Sequence, residues 1–201
     1  MAVKNREYKT GEGKAGLKNI PFQKRLEPHL DELKWLYMEL YDNQQMFEGL
    51  CSGMEEFCRA RRASLKRLDT KREKNPGWFR KSSMLGMMMY TDQFAGTLTG
   101  VKEKLDYIES CNVNYLHLMP LLDTPRGRSD GGYAVSDFRK VRDGLGTMDD
   151  LRALADECHK RGISLCLDFV MNHTSEEHEW AKRARAGERE YRDRYFFYDS
   201  Y

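Results

Sequence analysis

At 201 residues, with 40% hydrophobic and 33% charged side chains, the chain has the composition of a globular protein of one large or two small domains. Its formal net charge is only +2, which gives no whole-chain field for nucleic acid or membrane surfaces. The longest apolar runs, such as MLGMMMY, are too short to span a bilayer, and the polar start lacks the apolar core of a secretory signal.

In chain order, residues 1–20 are Gly- and Lys-rich and aperiodic, which predicts a flexible tail. Residues 21–84 read as a helical domain. From Pro28 onward the pattern is helical: Leu33, Leu36, Tyr37 and Leu40 fall on one stripe. A second stripe runs through Leu50, Met54, Phe57, Ala60, Leu65 and Leu68, which predicts one further helix, with the break between the two at Asp42-Asn43. Asn75-Pro76-Gly77 ends the helical region. Between Arg59 and Lys81 ten Lys/Arg face only Asp69 and Glu73. Without interleaved aromatics or a nucleic-acid motif, that run reads first as a solvated helix face whose basic stems cover apolar neighbours. A non-catalytic interaction module working through this basic surface is the alternative to an enzyme.

From residue 85 the texture alternates between strand and helix. Met87–Tyr90 is a short apolar strand with a polar exit at Thr91, Asp92 and Gln93, and Gly96 and Gly100 flank a loop. Val101, Leu105, Ile108 and Cys111 have helical spacing; Asn114–Leu121 is the next strand, stopped by Pro120. A loop containing Ser129-Asp130-Gly131-Gly132-Tyr133 follows. Thr147 is a helix N-cap with Asp149 and Asp150 in the first turn; Leu151, Leu154 and Cys158 form the apolar stripe, and Gly162 ends the helix. Ile163–His173, reading ISLCLDFVMNH, is a third strand. Its large aliphatic face (Ile163, Leu165, Leu167, Phe169) should meet helices, and its mixed face (Ser164, Cys166, Asp168, Val170) should look inward. Strand–helix–strand–helix–strand order predicts parallel strands and an α/β fold.

The chemistry-bearing residues cluster at the carboxyl ends of these strands. Two glycines let the loop aim Asp130 and Tyr133 from a tight turn, and a tyrosine offers a flat face and a hydroxyl. Asp168, Asn172 and His173 bring a carboxylate, an amide and an imidazole to the end of the third strand. His173 and His178 are five apart and lack the HExxH pattern, so zinc is not expected; no GxSxG, P-loop or GxGxxG occurs either. Five cysteines without a CxxC pair, set within apolar periodic segments, fit buried thiols in a cytoplasmic protein.

In this order and spacing, SDGGYAVSDFRKV, LGTMDDLRALADECHKRGISLCLDFVMNHTSEEHEWA and the preceding NVNYLHLMPLL resemble the opening of the α-amylase superfamily, glycoside hydrolase family 13. The closest likeness is to its sucrose-acting branch, amylosucrase and sucrose hydrolase; trehalose synthases and oligo-1,6-glucosidases share the NHTS..H.W pattern. The resemblance covers about residues 30–201 and implies a helical N-terminal domain followed by the first three βα units of a TIM (β/α)8 barrel. Residues 85–173 would form the first part of that barrel, and residues 174–201 would begin a loop domain inserted after the third strand.

It further implies retaining α-glucosyl transfer or hydrolysis, with sucrose or an α-glucan as the sugar substrate, no nucleic-acid or membrane partner and no cofactor. Asp130, Tyr133 and His173 would bind the glucosyl ring, Tyr133 by stacking and His173 by donating to a hydroxyl. Asp168 would orient an arginine beside the nucleophile. Asn172 is a calcium ligand in amylases, but the sucrose-acting branch does without that ion, so no metal is expected. The nucleophile and acid/base of the family come from the fourth and fifth barrel strands. A full barrel takes about 250 residues, and from Met87 only 115 remain. The expectation is therefore an N-terminal fragment, inactive alone and carrying an open edge on its third strand.

Overall fold

The computed structural model describes residues 21–129 and 131–198. The expected tail, residues 1–20, and Asp130 lie outside them. The chain divides into two compact units, with the boundary between Phe79 and Arg80.

The first unit is helical. Helix α1, Phe22–Tyr41, begins earlier than the periodicity suggested and carries Pro28 within it; the ring forfeits one backbone hydrogen bond there. Asp42 ends it in a left-handed conformation, and Asn43 caps α2, Gln44–Ala60, by accepting from the Met46 N–H at 3.0 Å. The break therefore falls at Asp42-Asn43. The second expected helix is two, because α3 spans Ala63–Glu73. Arg61 and Arg62 are extended between them, and the Arg61 guanidinium turns back to donate to both oxygens of Asp69, at 2.6 and 2.9 Å. That bidentate pair requires a corner which no glycine or proline announces. Other members of the basic run are also occupied by their own unit. Arg72 stacks 3.8 Å from the Trp78 ring centroid, and Lys66 donates to the Arg59 carbonyl at 2.9 Å.

The second unit is α/β. Strands β1 (Gly86–Met89), β2 (Tyr115–Leu118) and β5 (Ser164–Leu167) form a parallel sheet in the order β1-β2-β5, in the register Met88↔His117↔Cys166. The β1–β2 crossover carries three short helices, α4 (Thr91–Ala95), α5 (Leu98–Glu103) and α6 (Leu105–Ser110). Gly100, expected beside a loop, lies inside α5. A Cβ there would sit 2.2 Å from the Ala95 carbonyl oxygen, so only glycine lets α5 pass so close to α4. The β2–β5 crossover holds α7, Met148–Lys160. Thr147 caps it in a reciprocal capping box with Asp150, at 3.1 and 2.8 Å. At its far end Arg161 ion-pairs with Glu157 and Glu109, both at 3.1 Å, and with Asp106, joining α7 to α6.

The core lies between sheet and helices. Leu98, Val101, Leu105, Ile108, Leu116, Leu118, Leu154 and Cys158 are fully buried there. These are the positions that helical and strand periodicity assign to one face.

Two details depart from the sequence reading. The segment after β2 is not a plain loop: β3 (Leu122–Asp123) and β4 (Asp137–Val141) form a small antiparallel pair with an irregular register. Second, β5 stops at Leu167. Ile163 is buried and Leu165 packs on the core, but Leu167 and Phe169 of the same face are exposed. The last bond of the ladder runs from the Asp168 N–H to Leu118 O at 3.3 Å, and past it Phe169 packs against Phe138, ring centroids 5.3 Å apart.

Candidate functional site

The carboxyl ends of the three parallel strands meet the loop between β3 and β4. β1 delivers Tyr90, Thr91 and Asp92; β2 contributes His117, on the strand itself; the chain leaving β5 supplies Asp168. The loop supplies Tyr133, and its conformation depends on the glycines before it. Gly131 and Gly132 have φ of +59° and +90°. A Cβ on Gly131 would meet the Tyr90 hydroxyl at 2.8 Å, and one on Gly132 would press on Pro120, at 3.0 Å from Cβ and 3.1 Å from its carbonyl oxygen. The loop is anchored from both sides. The Ala134 N–H donates to Ser129 Oγ at 3.0 Å, and the Ser175 N–H donates to the Val135 carbonyl at 2.8 Å. Arg128 reaches Glu176 and Glu177, both at 3.4 Å, across the same gap.

Asp168 is the hub. His117 Nε2 lies 2.8 Å from its Oδ1, and the Tyr133 hydroxyl donates to its Oδ2 at 3.0 Å. Because a carboxylate only accepts, His117 carries its proton on Nε2 in this pair. The hydrogen bond to Asp168 raises the Tyr133 phenol above its ordinary pKa, since ionisation would set two negative charges side by side. Tyr133 nonetheless keeps 39% of its surface open to solvent. Asp92, at the β1 exit, faces Arg142 at 3.7 Å. Thr91 beside it is buried, and its Oγ1 is the one buried side-chain polar atom without a partner among the described residues.

Asn172 and His173 are exposed and paired with each other, the amide Nδ2 donating to His173 Nδ1 at 3.2 Å. An amide N–H only donates, so Nδ1 is the acceptor here, and in the neutral ring the proton then sits on Nε2. Among the described residues no hydrogen bond links His173 to Tyr133 or Asp168. The structure thus joins Tyr133 and Asp168 directly, and leaves Asn172 and His173 as a separate pair on the same chain exit. Asp130 lies outside the described residues. His117 is the member that motif reading missed; the alternation Tyr115-Leu116-His117-Leu118, with both leucines buried, was the signal for a polar inward face.

No group of three or more His, Cys, Asp or Glu that could hold a metal ion occurs among the described residues. None of their helices is long and apolar enough to cross a membrane.

The alpha-amylase catalytic-domain family model matches residues 62–200. An oligo-1,6-glucosidase of Bacillus sp. (strain F5) is 43% identical over 105 residues, which is 52% of this chain and 20% of the relative. A trehalose synthase/amylase TreS of Mycolicibacterium smegmatis is 49% identical over 90 residues, 45% of this chain and 15% of the relative. The chain thus spans about a fifth of the length of the curated relatives it matches. Among solved structures, the trehalulose synthase MutB from Pseudomonas mesoacidophila MX-45 aligns with a TM-score of 0.52 and 35% identity, covering 59% of this chain and 22% of that one. A MutB mutant in complex with the substrate sucrose aligns equally well, at 36% identity over 60% of this chain and 22% of that one.

Proposed function

The chain belongs to the alpha-amylase catalytic-domain family, and we propose that it forms one wall of the glucosyl-binding subsite of an enzyme acting on α-glucosides with retention of configuration. The observation that carries this reading is the hydrogen-bonded Tyr133–Asp168 pair at the carboxyl ends of parallel strands, where barrel folds build their sites. In it Tyr133 stacks on the glucosyl ring, His173 donates through Nε2–H to a ring hydroxyl, and Asp130 supplies a further polar contact to the same ring, while Asn172 holds His173. Asp168 supports them from behind. The donor we favour is sucrose, in a cytoplasmic setting, with isomaltose and trehalose as the competing members of the class.

Retaining chemistry needs a nucleophile and an acid/base about 5–5.5 Å apart across the scissile bond. The carboxylates described at this end of the sheet are otherwise engaged: Asp168 accepts from two donors, and Asp92 faces Arg142. The 201 residues alone therefore bind without turning over. The test pairs two assays on the purified chain. Saturable glucose binding that weakens at least tenfold in Tyr133→Ala is expected, together with no release of glucose from sucrose, trehalose or isomaltose. Turnover by the chain alone would overturn the silent-wall reading, and wild-type-like binding by Tyr133→Ala would overturn the subsite itself.

A further inference from the structure

We propose that His117 is a positioning residue which, by holding Asp168 from the central strand, fixes the orientation of the Tyr133 ring. The contribution to sugar binding rests on the subsite reading above; the positioning of the ring does not.

His117 sits on β2, the strand bonded on both sides, between the buried Leu116 and Leu118. Its register partner on β5 is Cys166, so Asp168 is its diagonal neighbour two residues further along the same face. Diagonal neighbours in a sheet stand about 7–8 Å apart, a span that an imidazole and a carboxylate close between them. They do so at 2.8 Å. The other carboxylate oxygen holds the Tyr133 hydroxyl.

The two attachments are unequal. Tyr133 projects from a loop through two glycines of positive φ and is partly solvent-exposed. Asp168 lies just past the end of β5, where the ladder has stopped. Even with the loop backbone anchored, a carboxylate bound only by Tyr133 can rotate about its side-chain torsions and follow the phenol as the ring turns about its own. With its second oxygen fixed from β2, both torsions are pinned, and Tyr133 is referred to the sheet rather than to its own loop. Packing alone does not supply this, since Tyr133 keeps 39% of its surface open to solvent.

The experiment uses the 201-residue chain with 13Cζ-labelled tyrosine, the Tyr133 resonance being assigned by its loss in Tyr133→Phe. Asp168→Asn and His117→Leu should displace that resonance in the same direction. His117→Gln, which returns an N–H donor to the position, should restore it towards the wild-type value while His117→Leu does not. Glucose affinity should follow, falling about tenfold in His117→Leu, the worth of one hydrogen bond to a charged group, and recovering in His117→Gln. A Tyr133 resonance that moves in Asp168→Asn but stays put in His117→Leu would overturn the proposal, as would failure of the glutamine to rescue. Should His117→Leu not fold, the wild-type imidazole decides: the proposal requires the proton on Nε2, and an Nδ1–H tautomer contradicts it. If no variant and no wild type binds glucose, the subsite reading fails while the resonance shifts still judge the role of His117.

Discussion

Gly132→Ala and Gly144→Ala form a matched pair that isolates how the Tyr133 loop is held. Both glycines have nearly the same positive φ, +90° and +91°, so an alanine at either position carries a backbone cost of the same order, about 1–3 kcal/mol. Their surroundings differ. An added Cβ at Gly144 meets nothing within 4 Å, whereas at Gly132 it meets Pro120 Cβ at 3.0 Å and the Pro120 carbonyl oxygen at 3.1 Å. Neither is the far end of a flexible side chain, so Pro120 or the loop has to give by a few tenths of an ångström, and overpacking of this kind costs a further ~1–3 kcal/mol. Gly144→Ala should therefore destabilise by about 1–3 kcal/mol and Gly132→Ala by about 2–6 kcal/mol. Urea unfolding followed by near-ultraviolet circular dichroism measures both, the midpoint shift at constant slope giving the difference. Equal losses in the two variants, or a smaller loss at Gly132, would refute the claim that Pro120 confines the loop.

Other expectations concern single groups. Thr91→Val should leave stability unchanged or raise it by up to about 1–2 kcal/mol, because the lost hydroxyl has no partner to abandon; a clear loss by thermal unfolding would show that Oγ1 is satisfied. Burial pushes the Cys158 thiol up to about 11, so at pH 8 iodoacetamide should alkylate it last of the five cysteines, and labelling as fast as the part-exposed Cys51 would contradict its place in the core. Arg61 holds Asp69 below its ordinary carboxylate pKa. The stability this contributes is fully present above the unfolded value of about 3.9 and disappears as pH falls through the lower folded value. Asp69→Asn should therefore weaken the helical unit at pH 7 and match the wild type in strong acid; an equal gap at pH 7 and pH 2 would be inconsistent with that pair.

Much of the fold was legible because local chemistry and tertiary structure agree. Thr147 caps α7 where the sequence places an N-cap, and Leu151, Leu154 and Cys158 keep helical spacing because they share one buried face. The parallel strands followed from apolar runs separated by crossovers of helical length. What the sequence concealed was set by distant partners. The corner at Arg61-Arg62 depends on Asp69, eight residues on from Arg61. β3 has only two residues and exists because Leu122 pairs with Val141, nineteen positions away. Gly100 read as a loop glycine although its partner is near in sequence, because its approach to the Ala95 carbonyl depends on how α4 and α5 pack.

Motif singled out Tyr133 and Asp168 as candidates, but not their direct hydrogen bond, since loop and strand end are 35 residues apart. His117 was hidden in the alternation of a strand that looked like core. The strand-end segment 168–173 also proved to be two things, a hub at Asp168 and a separate exposed pair at Asn172 and His173.

The central claim is that this end of the sheet holds a glucosyl ring, and an NMR titration of the 201-residue chain with glucose tests it most directly. Saturable amide and side-chain shifts centred on Tyr133, Asp168 and His173, abolished in Tyr133→Ala, are the expected result. Shifts that never saturate, or that centre on the helical unit instead, would contradict it.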